Sequence, residues 1–181
     1  MALHGSDLIP PATRDDHVRG SLDAPVVITE FGDFECPYCG TAHLVLEAIL
    51  KKYGSRVALV FRHYPLPMHP HAPAAAEAAE AAASVGKFWE MHDQLFKHQD
   101  HLANSDLRTY AEAIGVGGDV VLNAIKHNTY GERIARDQHS GDESTIEGTP
   151  SFFINGFTYG AEPTVEALSE AIDLVLAAAK V

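Results

Sequence analysis

The sequence predicts an α/β protein in which a block of helices interrupts a small sheet. An apolar, β-branched run from Val26 to Phe31 predicts a strand, and Pro37 then opens an amphipathic helix. Strand character returns after Pro150, where the turn Asn155-Gly156 favours a hairpin. The long stretch between these units has a helical pattern. The predicted order is therefore β-α-β, several helices, and β-β-α.

The first β-α-β unit follows from the spacing of apolar residues. They recur at helical intervals between Pro37 and Gly54, which ends the helix; they are Ala42, Val45, Leu46, Ile49, Leu50 and Tyr53. Val57 to Phe61 is a second short apolar run and predicts a strand. The segment 64–70 that follows contains three prolines, which exclude regular structure and predict a fixed loop.

Four helices are predicted between about residues 72 and 138. Alanine, the strongest helix former, dominates the first, from Ala74 to Ala83. The other three are amphipathic, with apolar faces at Phe88, His92, Leu95 and Phe96, at Leu107, Tyr110, Ala111 and Ile114, and at Val121, Ala124, Ile125 and Ile134. We therefore expect an inserted helical subdomain over residues 64–141.

The core is predicted from the segments on either side of this insertion, residues 25–63 and 142–181. In the second segment, the runs Ser151 to Ile154 and Phe157 to Tyr159 flank the hairpin turn. Pro163 then opens a last amphipathic helix. Both segments together supply the strands and the two helices of the predicted core.

The composition is that of a folded protein with an acidic surface. The chain has 181 residues, of which 46% are hydrophobic, and a formal net charge of -12. This length suffices for one core with an insertion. The negative field repels phosphate backbones and anionic lipids. We therefore expect neither nucleic acid nor a membrane among the partners.

The first residues bear on where the protein works. Residues 1–24 are polar, contain Pro10-Pro11 and predict an extended arm. They lack the basic and apolar regions of a signal peptide, and no stretch of the sequence approaches the roughly 20 apolar residues of a membrane span. We expect a cytoplasmic protein. An exported protein whose signal peptide has been removed is the alternative.

Cys36 and Cys39 are the two cysteines of the sequence, and their spacing is that of a redox pair. Two cysteines are too few for a disulfide scaffold. Cys36 stands at the predicted start of a helix, where unpaired N–H groups lower the pKa of a thiol. We expect Cys36 to be an exposed, ionised nucleophile. Cys39, one turn further in, would be the buried thiol that resolves a mixed disulfide.

Two other functions remain open for such a sequence. Zinc sites also use Cys-x-x-Cys, but a structural zinc takes about four ligands, so histidines would have to complete the set. Histidines cluster near the proline loop and in one later segment, at His63, His69, His71, His98 and His101. The other alternative is a binding or chaperone-like module without redox turnover. No metal and no cofactor beyond the dithiol itself is expected.

Acidic residues and a proline near the dithiol are further candidates. Glu30 ends the first strand. If it is buried, its pKa is raised and it can exchange protons with Cys39; the alternative is a carboxylate that faces water. Asp33 and Glu35 are interpreted as solvent-facing loop charges. Pro150, just before a strand, suits a tight turn.

These motifs resemble those of the DsbA-like branch of the thioredoxin superfamily of thiol–disulfide oxidoreductases. Three segments carry the resemblance in the same order, and it extends from about Val26 to Ala178. The segments are Glu30 to Cys39, His69 to Ala72 with Lys87 to Asp93, and Gly148 to Gly156. The resemblance implies a thioredoxin fold with a helical insertion between the second strand and the cis-proline strand.

The resemblance also implies an activity and its catalytic residues. Cys36 matches the nucleophile, Cys39 the resolving thiol and Glu30 the buried acidic residue. The implied activity is thiol–disulfide exchange with proteins or glutathione-like thiols. Its direction is expected to follow the compartment, reducing in the cytoplasm and oxidising after export.

Substrate contacts are implied as well. Pro150 matches the cis-proline that faces the dithiol, and Thr149 matches the residue before it, whose backbone pairs with an extended substrate segment. We also expect Pro37 and Tyr38, between the cysteines, to contact substrate. The strongest oxidants of the branch carry histidine where Tyr38 stands. Because Tyr38 supplies no positive charge to the thiolate, we expect a milder oxidant.

Overall fold

The structure, a computed structural model, describes residues 8–179, which form a five-stranded sheet and seven α-helices. The strands are β1 (His17–Arg19), β2 (Val26–Gly32), β3 (Val57–His63), β4 (Ser151–Ile154) and β5 (Phe157–Tyr159). The helices are α1 (Pro37–Tyr53), α2 (Ala72–Ala83), α3 (Phe88–Lys97), α4 (Asn104–Ala113), α5 (Gly118–His127), α6 (Gly131–Glu143) and α7 (Val165–Ala178). No helix among the described residues is both long and apolar enough to span a bilayer.

The sheet has the strand order β1-β3-β2-β4-β5. β2 and β3 are parallel and are joined by α1, whereas the other neighbouring pairs are antiparallel. Five helices, α2 to α6, lie between β3 and β4 in the chain, one more than predicted, because the left-handed Asn128 ends α5 and divides the predicted fourth helix in two. This arrangement confirms the predicted fold class, an α/β sheet with a helical insertion between its second predicted strand and the strand after Pro150.

The prediction of an extended arm over residues 1–24 is wrong for part of that segment. Residues 17–19 form β1, which pairs antiparallel with β3, with His17 opposite Phe61. Three residues with a single apolar side chain give no periodic signal, so this strand depends on its partner rather than on its own sequence. Residues 1–7 of the predicted arm lie outside the described residues.

The apolar core explains where the cysteines lie. Alternation along β3 sends Val57, Leu59 and Phe61 to one face of the sheet. The first two belong to a cluster with α1 and α7 that also holds Val26, Ile28, Leu46, Ile49, Leu168 and Ile172. Phe61 belongs to a neighbouring cluster under the insertion that also holds Phe34, Cys36, Cys39, Phe88, Met91 and Leu95. The cysteines thus lie where the insertion meets the sheet and α1.

The alanine-rich helix α2 lies at the centre of the insertion. Nine of its 12 residues are buried, and it packs against both α3 and α5. Small side chains allow this close approach on several sides. The two glutamates of the helix are also buried. Glu77 accepts hydrogen bonds from the backbone of Tyr130, and Glu80 pairs with His17 and His63.

Arg62 on the opposite face of the sheet holds the segment before β1. Its buried guanidinium donates to both carboxylate oxygens of Asp16, at 2.9 and 3.0 Å, and to the Pro10 carbonyl and Ser140 hydroxyl. Burial by itself raises the pKa of Asp16, but the hydrogen bonds and charge of Arg62 outweigh it and lower that pKa. The pair is therefore a desolvated ion pair whose partners depend on each other.

We expect Asp16→Asn to destabilise the fold strongly. The substitution leaves the Arg62 charge buried without its counter-ion, which costs about 3 kcal/mol or more of the free energy of unfolding. Urea denaturation measures the loss. The matched control is Glu112→Gln, which removes the exposed partner of Arg108 and should change stability by about 1 kcal/mol at most. Equal losses in the two variants would contradict this account.

Candidate active site

Cys36 lies at the end of the turn that connects β2 to α1. The strand ends at Gly32, a short turn follows, and Pro37 occupies the first position of α1 with Cys36 as its N-cap. The Cys36 N–H donates to the Asp33 carbonyl at 3.1 Å, which closes the turn. Free amides at the start of a helix point outward along its axis. The fold therefore directs the first amides of α1 at the Cys36 sulfur.

The surroundings of Cys36 favour its thiolate. The Cys39 thiol hydrogen-bonds the Cys36 sulfur, and the backbone N–H groups of Cys39 and Tyr38 also donate to it. Together these lower the Cys36 pKa from 9.0 to about 5, although burial acts in the opposite direction. The pKa of Cys39 is raised, first by burial and then by its bond to Cys36. One thiol of the pair is thus ionised at neutral pH and the other is not.

The expectation of an exposed nucleophile is wrong. Cys36 is only 2% exposed and Cys39 is fully buried. The reason is that Cys36 belongs to the apolar cluster beneath the insertion, and its Sγ lies 3.4 Å from the Thr149 carbonyl. The two thiols hydrogen-bond each other, and no disulfide joins them.

β4, the strand after Pro150, positions Thr149 beside the cysteines. β4 pairs antiparallel with β2, with Ser151 opposite Phe31. This register places the preceding residue, Thr149, where its carbonyl oxygen lies 3.4 Å from the Cys36 sulfur. The peptide bond between Thr149 and Pro150 is cis. Thr149, which the resemblance links to substrate, therefore lies directly beside Cys36.

Glu30 is buried below the cysteines, so it does not face water. It is 1% exposed and lies in β2 between Phe61 and Phe152 of the flanking strands. Burial raises its pKa to about 8, and the charge of Cys36 adds to the effect. Among the described residues, its Oε1 has no hydrogen-bond partner. The charge of Glu30 in turn raises the pKa of Cys39.

The interpretation of Asp33 as a solvent-facing charge is wrong. Its side chain is fully buried, because the proline loop folds over the turn. One carboxylate oxygen accepts from the Glu35 N–H at 2.7 Å. The other accepts from the Leu66 N–H at 2.8 Å and lies 2.7 Å from His69 Nδ1. Asp33 therefore joins the active-site turn to the loop that begins the insertion.

Glu35 is also held by the insertion rather than free in solvent. Its carboxylate accepts from the N–H groups of His71 and Ala72 at 2.6 and 3.0 Å, and from His71 Nδ1 at 2.9 Å. Burial alone would raise the Glu35 pKa, but these bonds outweigh it and lower that pKa. The carboxylate thus satisfies amides at the start of α2, which would otherwise lack partners.

Gln99 is a site residue that sequence analysis missed. Its side-chain amide donates to the carbonyls of Phe34 and Cys36 at 2.9 and 2.8 Å. A Cβ at Gly40 would come within 2.0 Å of the Gln99 side chain, so the glycine makes room for it. No spacing or motif marks Gln99, because its partners are backbone atoms far away in the sequence. His69 and His71 did stand out, through the motif that carries the resemblance.

Two groups of side chains have the spacing of metal ligands. They are His17, His63 and Glu80, and His43, His92 and Asp93, each with its ligand atoms within 4.8 Å of one another. Among the described residues, neither group includes a cysteine. In the first, Glu80 Oε1 lies 2.6 and 2.8 Å from the two histidine Nε2 atoms, which fixes β1 against α2.

Comparison with known families identifies the chain. A protein-family model described as thioredoxin matches residues 12–174. The chain belongs to the thioredoxin family. The oxidised BdbD of Bacillus subtilis has the same fold, with a TM-score of 0.86 and 22% identity over 94% of this chain and 97% of that one. Alpha-DsbA1 of Wolbachia pipientis gives 0.80 and 20% over 94% and 96%. The predicted DsbA-like thioredoxin fold is confirmed.

The curated relatives of this thioredoxin-family chain are much longer proteins. One is the Na(+)/H(+) antiporter NhaA 3 of Salinispora tropica, which is 46% identical over 176 residues, 96% of this chain and 27% of that protein. Another is the Na(+)/H(+) antiporter NhaA 1 of Salinispora arenicola, 45% identical over 168 residues, 92% of this chain and 26% of that protein. The chain spans about a quarter of the length of these relatives.

The ionisation of Cys36 should depend on the Cys39 thiol. Ultraviolet thiolate absorbance of the reduced protein should show a midpoint at about 5. Cys39→Ala should move this midpoint upward, because the thiol donor is lost. Cys39→Ser is the matched control, since its hydroxyl still donates and should retain most of the lowering. The same midpoint in the alanine and serine variants would show that the donor plays no part.

The buried Glu30 should make stability depend on pH. Its pKa is about 8 in the folded protein against an ordinary 4.5, so unfolding releases a proton between these values and stability falls as pH rises. Glu30→Gln removes this loss. With both proteins reduced, the free energy of unfolding of Glu30→Gln minus that of wild type should rise by up to about 1.4 kcal/mol per pH unit between these two pKa values.

Urea unfolding at several pH values measures this difference. Comparison of the two proteins cancels the opposite slope from Cys36, whose lowered pKa makes stability rise with pH. A difference between Glu30→Gln and wild type that does not change with pH would show that Glu30 ionises normally.

Proposed function

We propose that the chain is a thiol–disulfide oxidoreductase that acts through Cys36 and Cys39. The observation that carries this proposal is the position of the Cys36 sulfur at the start of α1. There the Tyr38 and Cys39 amides and the Cys39 thiol donate to it, and its pKa is about 5. A thiolate is the nucleophile in thiol–disulfide exchange. A second thiol in contact with the first allows the exchange to be completed.

The exchange takes place in two displacements. In the reducing direction, the Cys36 thiolate attacks a substrate disulfide, whose S–S bond breaks; a mixed disulfide forms, and the departing substrate thiolate takes a proton from solvent. Cys39 then loses its proton and attacks the Cys36 sulfur, which releases the second substrate thiolate and leaves a Cys36–Cys39 disulfide. Oxidation of a substrate dithiol follows the same steps in reverse.

Glu30 is proposed as the group that takes and returns the Cys39 proton. Burial and the bond to Cys36 raise the Cys39 pKa, so its thiol does not ionise without a base. A base exchanges protons best when its pKa lies near the working pH, and that of Glu30 is about 8. Glu30 also influences the Cys39 pKa directly, which places the two within electrostatic reach.

Substrate is proposed to bind along Thr149 and Pro150, beside the nucleophile. The Thr149 carbonyl lies 3.4 Å from the Cys36 sulfur, so a substrate segment that pairs with this backbone has its own sulfur within reach of Cys36. Pro37 and Tyr38, next to Cys36 in the sequence, are the other proposed substrate contacts, and Tyr38 is 74% exposed. Proteins with thiols or disulfides, and glutathione-like thiols, are the proposed partners.

The redox potential is proposed to be moderately oxidising. A more acidic nucleophilic thiol stabilises the reduced form, and the thioredoxin and DsbA nucleophiles have pKa values of about 7 and about 3.5. The value of about 5 for Cys36 lies between them. This supports the milder oxidant that Tyr38 leads us to expect.

The names of the curated relatives do not lead us to propose ion transport. The part of them that this chain matches is about a quarter of their length. In this chain, the matched residues form the thioredoxin fold around the dithiol, which supports redox chemistry. The cytoplasmic location, with the exported form as its alternative, stays a prediction.

Substitution of the two cysteines tests the proposed function. Cys36→Ser should abolish the reduction of insulin disulfides and the oxidation of a dithiol peptide, since no nucleophile remains. Cys39→Ala keeps that nucleophile and should accumulate a mixed disulfide with substrate on Cys36, detectable by mass spectrometry. Full activity of Cys36→Ser would refute the mechanism. Undiminished substrate binding by the double alanine variant, with no turnover by wild type, would favour the binding module.

A further inference from the structure

His69, in the proline loop, lies against the active-site turn and pairs there with the buried Asp33 carboxylate. Its Nδ1 lies 2.7 Å from an Asp33 carboxylate oxygen that is fully buried. The Leu66 N–H donates to the same oxygen at 2.8 Å, which fixes the loop and the carboxylate together. The imidazole itself remains partly exposed. The pair therefore places an ionisable ring at the rim of the site.

Asp33 connects this ring to both cysteines. Its carbonyl accepts from the Cys36 N–H at 3.1 Å, and its own N–H hydrogen-bonds the Cys39 sulfur. The side chain that holds His69 thus belongs to the residue whose backbone holds the dithiol. Asp33 therefore connects His69 to Cys36 through the hydrogen bonds of one residue.

The groups around His69 favour its charged form. Burial acts to lower its pKa, but Asp33, Cys36 and Glu35 together raise it. His69 also lines a groove whose opposite wall, formed by Asn128 after α5 and by Gly131, Ile134 and Gln138 of α6, is uncharged. No cation among the described residues that line this groove competes with the imidazolium.

We propose that His69 is a positioning residue whose positive charge, held in place by Asp33, stabilises the Cys36 thiolate and with it the reduced form of the dithiol. This inference rests on the proposed function and deepens it. Tyr38, between the cysteines, carries no positive charge. His69, from the insertion, would supply that charge instead. Because linkage is reciprocal, formation of the Cys36–Cys39 disulfide removes a negative charge near His69 and weakens its hold on the proton.

His69→Gln tests the proposal, because glutamine keeps a hydrogen-bond donor for Asp33 but carries no charge. Thiolate absorbance should show a higher Cys36 midpoint. The equilibrium constant for reduction of the protein disulfide by two glutathione molecules, which gives the dithiol and glutathione disulfide, should fall roughly threefold to tenfold.

His71→Gln is the matched control, since it removes a half-exposed histidine of the same loop that faces Glu35 rather than Asp33. A much smaller change is expected in this variant. An unchanged His69→Gln protein, or equal changes in both variants, would overturn the proposal.

A second measurement needs no substitution. Nuclear magnetic resonance titration of the His69 ring in the wild-type protein should give a lower midpoint in the disulfide form than in the reduced form. A purely structural His69 would titrate alike in both, which would overturn the proposal. The proposed function has its own test: it fails if Cys36 of the wild-type protein titrates as an ordinary thiol. If the Cys36 midpoint is near 5 in the wild type and stays there in His69→Gln, only the role of His69 is refuted.

Discussion

The dithiol depends on one physical constraint, the fixation of the turn at residues 33–36 by groups from the insertion. Asp33 is bonded to the proline loop, Glu35 to the start of α2, and the Cys36 carbonyl to Gln99. Each contact satisfies a polar group that would be costly to bury alone. Because the turn cannot relax, the Cys36 sulfur stays where the amides of α1 converge, and its acidity follows from this position.

The pairing of β2 with β4 in the sheet also fixes the position of the dithiol. β2 and β4 are neighbours, so the end of β2 and the residue after the cis-proline lie side by side, with Phe31 opposite Ser151. Beneath them Glu30 lies on the face covered by α1 and is 1% exposed. The order of strands thus determines which backbone carbonyl faces the nucleophile and which carboxyl lies under its partner.

Much of this arrangement could be predicted from local patterns. The dithiol at a helix start, the hairpin at Asn155-Gly156 and the helical block each have a signal within a few residues. β1 has none, since a strand of three residues forms only when β3 is there to pair with it. The burial of Asp33 and the role of Gln99 were missed for the same reason: single polar residues that meet backbone atoms from distant segments leave no periodic trace.

The near-complete burial of the nucleophile has a consequence for its chemical lifetime. Thiolates that are open to solvent are oxidised by peroxide to sulfenic and then to irreversible sulfinic and sulfonic acids. Here the sulfur is packed against the Thr149 carbonyl and the apolar cluster under the insertion. Because a small oxidant finds little exposed sulfur to attack, we expect the Cys36 thiolate to be oxidised more slowly than a thiolate that is open to solvent.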